Sequence, residues 1–257
     1  MAIELTPEPL KKSAYNTRLT EALAALRTVQ DQIIHHGLRV ILVLEGMDAA
    51  GKGGTIRRLS QPFDPRVLKV WPIAAPKPEY RGRHYLKRFW DRLPGPGTLA
   101  VFDRSWYGRV LVERVEGFAA EAEWQRAYEE LVDFETLLAR DGVLIFKVFL
   151  KVGLEEQKAR LVKRLTDPAK HWKITAEDFR NREKWPAYEP AITEMLAKTD
   201  HERAPWLVVS SDQKKAARIA VMEGFLDHIA RHAPPPAPTM LSDEVRSYAA
   251  EHLDMVL

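Results

Sequence analysis

Val40-Ile41-Leu42-Val43-Leu44-Glu45-Gly46-Met47-Asp48-Ala49-Ala50-Gly51-Lys52-Gly53-Gly54 is an apolar run that breaks into a glycine-rich loop carrying a lysine. An apolar run of this kind suits a strand buried on both faces of a parallel sheet. The glycines let backbone N–H groups turn toward an anion with no Cβ in the way. Lys52 adds a point charge for a phosphoryl group, and a helix over about Lys52 to Ser60 aims its positive end at the same place. Against G-x-x-x-x-G-K-[ST], Gly46, Gly51 and Lys52 match, while Gly53 stands where Ser or Thr would hold Mg²⁺. The competing reading, an ordinary turn, leaves the strand before the loop and the helix after it unexplained.

Outward from this loop, further apolar runs read as buried strands: Val67 to Trp71, Thr98 to Phe102, Val143 to Leu150 and Trp206 to Val209. With Leu38 to Leu44 they make a five-stranded sheet. Helical patterns cover about residues 8–36, 79–93, 120–140, 154–165 and 214–232, and a short tail helix covers about 242–252. Strands alternating with helices predict an α/β fold with a parallel sheet covered on both faces. The length of 257 residues fits one such domain over 1–257. Residues 166–190 lack strand pattern and are basic, which fits either a lid over a phosphate site or a plain surface loop. Residues 233–257 form a tail that begins with the stiff run Ala233-Pro234-Pro235-Pro236-Ala237-Pro238.

Composition narrows the function. The chain has no cysteine, which removes disulfides and thiolate metal sites and fits a reducing cytoplasm. No apolar run of about 18 residues predicts a membrane span, and no basic-then-apolar start predicts a secretory signal. Net charge is only +3, but the basic residues cluster. Arg66 to Arg92 holds eight Lys or Arg against two acids, and Lys158 to Lys184 holds nine against four. Such patches suit a polyanion, or else a solvated helix face.

Leu99-Ala100-Val101-Phe102-Asp103 is a second anchor. In phosphate-loop enzymes a neighbouring strand ends in an Asp that holds Mg²⁺ directly or through water. Arg104, Arg109 and Arg114 follow at the same edge of the sheet. Trp106 and Tyr107 fit stacking on a base or packing against the sheet. Asp48, a carboxylate among phosphate-binding amides, repels the ligand unless a cation lies between, so it reads as a Mg²⁺ partner or as a group orienting the acceptor.

Three segments resemble the polyphosphate kinase 2 family: Gly46 to Gly54, then Phe102-Asp103-Arg104-Ser105-Trp106-Tyr107, then Lys170-His171-Trp172-Lys173. The likeness extends over about residues 35–230, and Gly53 is normal for that family. The resemblance implies a three-layer α/β/α sandwich of the phosphate-loop kinase type with a helical lid. It further implies Mg²⁺-dependent phosphoryl transfer between inorganic polyphosphate and AMP, ADP or ATP, in a dimer or tetramer. Asp48, Lys52, Asp103 and Arg104 are the implied catalytic set, with Asp48 and Asp103 the metal ligands. Gly46, Ala49, Ala50, Gly51, Gly53, Gly54, Lys69, Arg109, Arg164, Lys170 and Lys173 are the implied substrate contacts. The chief alternative is a nucleoside or nucleoside-monophosphate kinase with ATP as donor. A nucleic-acid-binding protein would leave Asp48 and Asp103 without a role, and a phosphate-loop switch protein would need a guanine-reading motif that the chain does not show.

Overall fold

The computed structural model describes residues 2–235, 241–253 and 255. In chain order the strands and α-helices are β1 (Ile3–Leu5), α1 (Lys12–His35), β2 (Arg39–Gly46), α2 (Lys52–Leu59), β3 (Leu68–Pro72), α3 (Lys87–Trp90), β4 (Thr98–Asp103), α4 (Val112–Val115), α5 (Glu121–Arg140), β5 (Val143–Lys151), α6 (Leu154–Leu165), α7 (Ala176–Glu183), α8 (Trp185–Thr199), β6 (Trp206–Ser210), α9 (Lys214–His232) and α10 (Asp243–Leu253). The strands form one sheet in the order β1-β6-β5-β2-β4-β3. Every pairing in it is parallel.

Side-chain alternation along β2 divides the core in two. Val40, Leu42 and Leu44 face α1, α2 and α9, where Leu26, Ile33, Leu59, Val221 and Phe225 are buried. Ile41 and Val43 face the opposite layer, with Leu131 and Phe134 of α5, Met195 of α8 and Trp106. The result is the expected three-layer α/β/α sandwich. From β2 the chain crosses to β3, returns to β4 beside β2, then passes to β5 on the other side of β2. The order in which strands are added to the sheet thus reverses at β2, and a crevice opens at the carboxyl ends of β2, β4 and β5.

Two elements differ from the sequence reading. A sixth strand, β1, pairs with β6 through Ile3, Glu4 and Leu5. It is a three-residue exposed edge, too short to show a period. The helix expected over 79–93 is instead a 3₁₀ turn at Pro78–Tyr80 and the single turn α3. Gly82 lies between them with φ +70°, a left-handed value that a helix does not accommodate. The tail helix is present as α10, whereas the proline run extends past residue 235, outside the described residues. No helix among the described residues is long and apolar enough to cross a membrane.

Candidate active site

The loop between β2 and α2 is shaped by three residues in the left-handed region: Gly46 (φ +144°), Ala49 (φ +61°) and Gly51 (φ +114°). Its carbonyls are held by side chains of α2 and α6. Lys52 Nζ donates to the carbonyls of Gly46 at 2.6 Å and Met47 at 3.2 Å. From α6, Gln157 Nε2 donates to Asp48 O at 3.0 Å. Arg160 Nη1 donates to Ala49 O at 2.9 Å and Ala50 O at 3.1 Å. The other Arg160 nitrogen reaches Ser211 O and Asp212 O beyond β6. A trans peptide sets the next N–H opposite each carbonyl. The Ala49 and Gly51 amides therefore point away from these contacts of α6.

Burial pushes the Lys52 ammonium down and the Arg104 charge adds to this, while Asp48, Asp103 and Glu45 pull it back up; the net shift is downward. Just upstream, Glu45 is buried, accepts from Ser105 Oγ at 2.8 Å, and is pushed up by its burial. At the end of β4, Arg104 has φ +64°, and its Nη2 donates to Asp48 Oδ1 at 2.9 Å. Asn181 Nδ2 of α7 donates to Asp48 Oδ2 at 2.6 Å. Burial alone pushes the Asp48 carboxyl up, but Lys52, Arg104 and Asn181 hold it below the usual range.

Each Asp48 oxygen thus accepts one hydrogen bond, which leaves a further lone pair on each that could face a cation. The described residues bring no group of three or more His, Cys, Asp or Glu together around an ion. One or two carboxylates with phosphate and water oxygens is the donor set that Mg²⁺ takes. Asp103, half-buried beside Lys52 and Arg104, fits that role.

Asp48, Ala49, Ala50, Gly51, Lys52, Gly53, Gly54, Asp103, Arg104, Arg164, Lys170 and Lys173 line one cleft of about 880 Å³. Gly46 stands behind it as the carbonyl that holds Lys52. Lys69 and Arg109 stand elsewhere. Lys69 is on the first half of β3, away from the strand's carboxyl end, with its ammonium 4.2 Å from the Trp71 ring centroid. Arg109 pairs with Glu113 at 3.2 Å and covers the Tyr85 ring. Trp106 and Tyr107 are fully buried in the core, which settles their reading as packing.

The segment from 166 to 190 is a 3₁₀ turn (Pro168–Lys173), then α7 and the start of α8. Thr175 begins α7, its own N–H donating to Asp178 Oδ2 at 2.9 Å. Arg164 ties the segment to α6 through Lys173 O at 2.8 Å and Asp178 at 3.2 Å. Residues that the sequence reading did not assign also line the cleft: Arg57, Arg160, Lys163, Lys214 and Arg218. Their signal was spacing. Gln157, Arg160 and Arg164 share one helix face, and Lys214 and Arg218 are one turn apart where α9 leaves the carboxyl end of β6. Asn181 carries no such signal.

Fold and loop together define a phosphate-loop α/β protein of the nucleotide-kinase type. The chain belongs to the polyphosphate kinase 2 family, whose model matches residues 9–236. It is 45% identical over 222 residues to a polyphosphate:AMP phosphotransferase of Pseudomonas aeruginosa, covering 86% of this chain and 44% of that protein. The chain thus spans less than half the length of this relative. An ADP-polyphosphate phosphotransferase of the same organism is 35% identical over 243 residues, covering 95% of this chain and 80% of that protein. The crystal structure of polyphosphate kinase 2 from Arthrobacter aurescens TC1 superposes with a TM-score of 0.86 at 35% identity, covering 94% of this chain and 88% of that one.

Proposed function

We propose that this chain transfers a phosphoryl group between inorganic polyphosphate and a nucleotide, with Mg²⁺ as the metal and AMP as the first acceptor to test. The carrying observation is the cleft itself. The phosphate loop and Arg104 share it with basic residues of four elements: Arg57 of α2, Lys163 and Arg164 of α6, Lys170 and Lys173 of the basic segment, and Lys214 of α9. A mononucleotide offers too few phosphates for so many cations, whereas a polyphosphate chain carries about one charge per phosphate. AMP comes first because the relative at 45% identity is named for AMP and the one for ADP stands at 35%.

In the transfer, an acceptor phosphate oxygen attacks the terminal phosphorus. The bond from that phosphorus to the bridging oxygen breaks, and the electron pair leaves on the shortened polyphosphate. The acceptor is already largely ionised at neutral pH, since the second pKa of a phosphate monoester is about 6, so no strong general base is needed. Lys52 and the loop amides hold the transferring group, and Arg104 neutralises charge at the reacting end. Asp48 serves by fixing Arg104 and Asn181. Asp103 is the carboxylate that would hold the ion, which when bound would offset phosphate charge. The segment 166–190 is the lid, its Lys170 and Lys173 gripping phosphates from above.

The test is purified protein with long-chain polyphosphate and Mg²⁺, offered AMP or ADP in separate reactions. ADP formed from AMP without a nucleotide donor is the expected result. No product from polyphosphate, with turnover once ATP is supplied, would move the chain to the ordinary nucleotide kinases.

A further inference from the structure

The buried carboxylate of Glu135 lies outside the cleft, and the transfer described above does not use it. Glu135 sits on α5 with no solvent exposure. Its Oε1 accepts from Trp106 Nε1 at 2.9 Å and Tyr107 OH at 2.7 Å. Its Oε2 accepts from Lys147 Nζ at 2.7 Å and lies 3.0 Å from His201 Nε2. Lys147, on the face of β5 between Ile145 and Phe149, is itself fully buried. It donates also to Tyr107 OH at 2.9 Å and to Thr199 O at 2.8 Å, the last residue of α8.

Stability does not explain this arrangement. A buried ion pair replaced by apolar groups of similar volume is often neutral or better for folding. Its location is informative instead. Trp106 and Tyr107 follow within three residues of Arg104, whose left-handed φ of +64° is rare for a non-glycine residue. Such a conformation persists only where the surroundings over-determine it. On one side Arg104 N–H donates to Leu44 O at 3.1 Å. Next, Ser105 is held by Glu45. The following two residues are both held by Glu135.

We infer that Glu135, with Lys147, is a positioning residue for phosphoryl transfer, acting through the Trp106–Tyr107 anchor to hold the Arg104 guanidinium at the reacting end of the cleft. The kinetic part of this inference rests on the proposed function; the structural part does not. The pair also joins the Arg104 segment to the end of α8, the helix that starts in the lid.

The test is the double variant Glu135→Met with Lys147→Met, which removes both charges together and leaves neither unpaired in the core. Hydrogen–deuterium exchange followed by mass spectrometry reads the structural part. Peptides spanning 104–111 are expected to exchange about tenfold faster, with β2 and β5 unchanged. Kinetics reads the rest: kcat falls about tenfold, with KM for AMP and polyphosphate within about twofold. Adding Arg104→Ala to the double variant then costs less than it does in the parent chain, because both changes remove the same group. Unchanged exchange at 104–111 overturns the inference whatever the activity, as does additivity of the two losses. If the double variant does not fold, Trp106→Phe with Tyr107→Phe is read in the same assays, with the same outcomes deciding. A parent chain that shows no polyphosphate-dependent turnover refutes the proposed function instead and leaves the exchange result to decide the anchor.

Discussion

Substituting alanine at Gly46 tests the loop and the lysine together. Gly46 has φ +144°, and a Cβ placed there meets Leu150 O at 2.5 Å and Leu150 N and Cβ at 3.0 Å each. Those atoms belong to the adjoining strand β5, so the main chain itself has to move. The backbone conformation costs about 1–3 kcal/mol for a residue with a Cβ. Overpacking against a strand adds about 1–3 kcal/mol. At about 2–4 °C per kcal/mol for a domain of this size, Gly46→Ala is expected to lower Tm by roughly 5–20 °C. The same displacement moves the Gly46 carbonyl that holds Lys52 at 2.6 Å, so turnover falls even where the protein is folded. The control is Gly53→Ala, the same chemical change on α2, where a Cβ meets nothing within 4 Å. There the thermal midpoint stays level or rises, by up to about 1 kcal/mol of helix propensity. Differential scanning fluorimetry on the two variants decides. Equal midpoints for both would refute the claim that close approach to β5, and not loop chemistry in general, requires glycine at 46.

Lys52→Ala is expected to leave the circular dichroism spectrum unchanged and to cut turnover by about 10²–10³-fold or more; retained turnover would remove the loop from the mechanism. Lys214 is pushed down to about 8 by burial and by the nearby Arg160, Lys163 and Arg164. It loses its charge as pH rises through that value, so KM for polyphosphate rises between about pH 7 and 9, and Lys214→Arg flattens that rise. His228 packs on the Phe146 ring, and its Nε2 is buried with no hydrogen-bond partner among the described residues. Burial, with His232 and Arg231 nearby, pushes it down to about 4. The unfolded chain takes up a proton near pH 6.5 and the folded one only near 4, so stability falls as pH drops through that window, by up to about 1.4 kcal/mol per unit. His228→Phe is expected to lessen the loss of Tm between pH 6.5 and 4.5, as thermal melts at several pH values would show.

The strands β2, β4, β5 and β6 were legible because each is a short apolar run that is largely buried; β3, with Lys69 exposed, was legible from Val67 to Trp71. The loop was legible because it places glycine, lysine and a following helix in fixed order. The exposed β1 has no such contrast, since three residues hydrogen-bonded to one neighbour need no pattern. The 79–93 stretch carries helical spacing in Tyr85, Leu86 and Phe89, yet Gly82 interrupts it. Within the cleft, the loop, Asp103–Arg104 and the basic segment were found in order along the chain. Lys69 and Arg109 were not separable from cleft residues by charge alone, because a cation goes to whichever partner the backbone brings near: the Trp71 ring for one, Glu113 for the other. Asn181 is an ordinary polar residue in sequence, and its meeting with Asp48 exists only once α7 has folded over the loop. Lys147, a single charge inside the apolar run Val143 to Leu150, was the visible sign of the buried pair with Glu135.

Arg160 and Gln157 of α6 engage the loop carbonyls of Asp48, Ala49 and Ala50. These bonds from α6 tie down the loop's main chain. Conformational entropy of the phosphate cradle given up to these bonds at folding is not lost again at each encounter with a substrate. In the proposed reaction a polyphosphate chain would meet a preorganised loop, and the ordering that remains for binding would fall on the chain itself and on the segment 166–190. Affinity for short and long polyphosphates should therefore differ mainly through the cations beyond the loop, with the loop contributing the same increment to every donor that can place one phosphate in it.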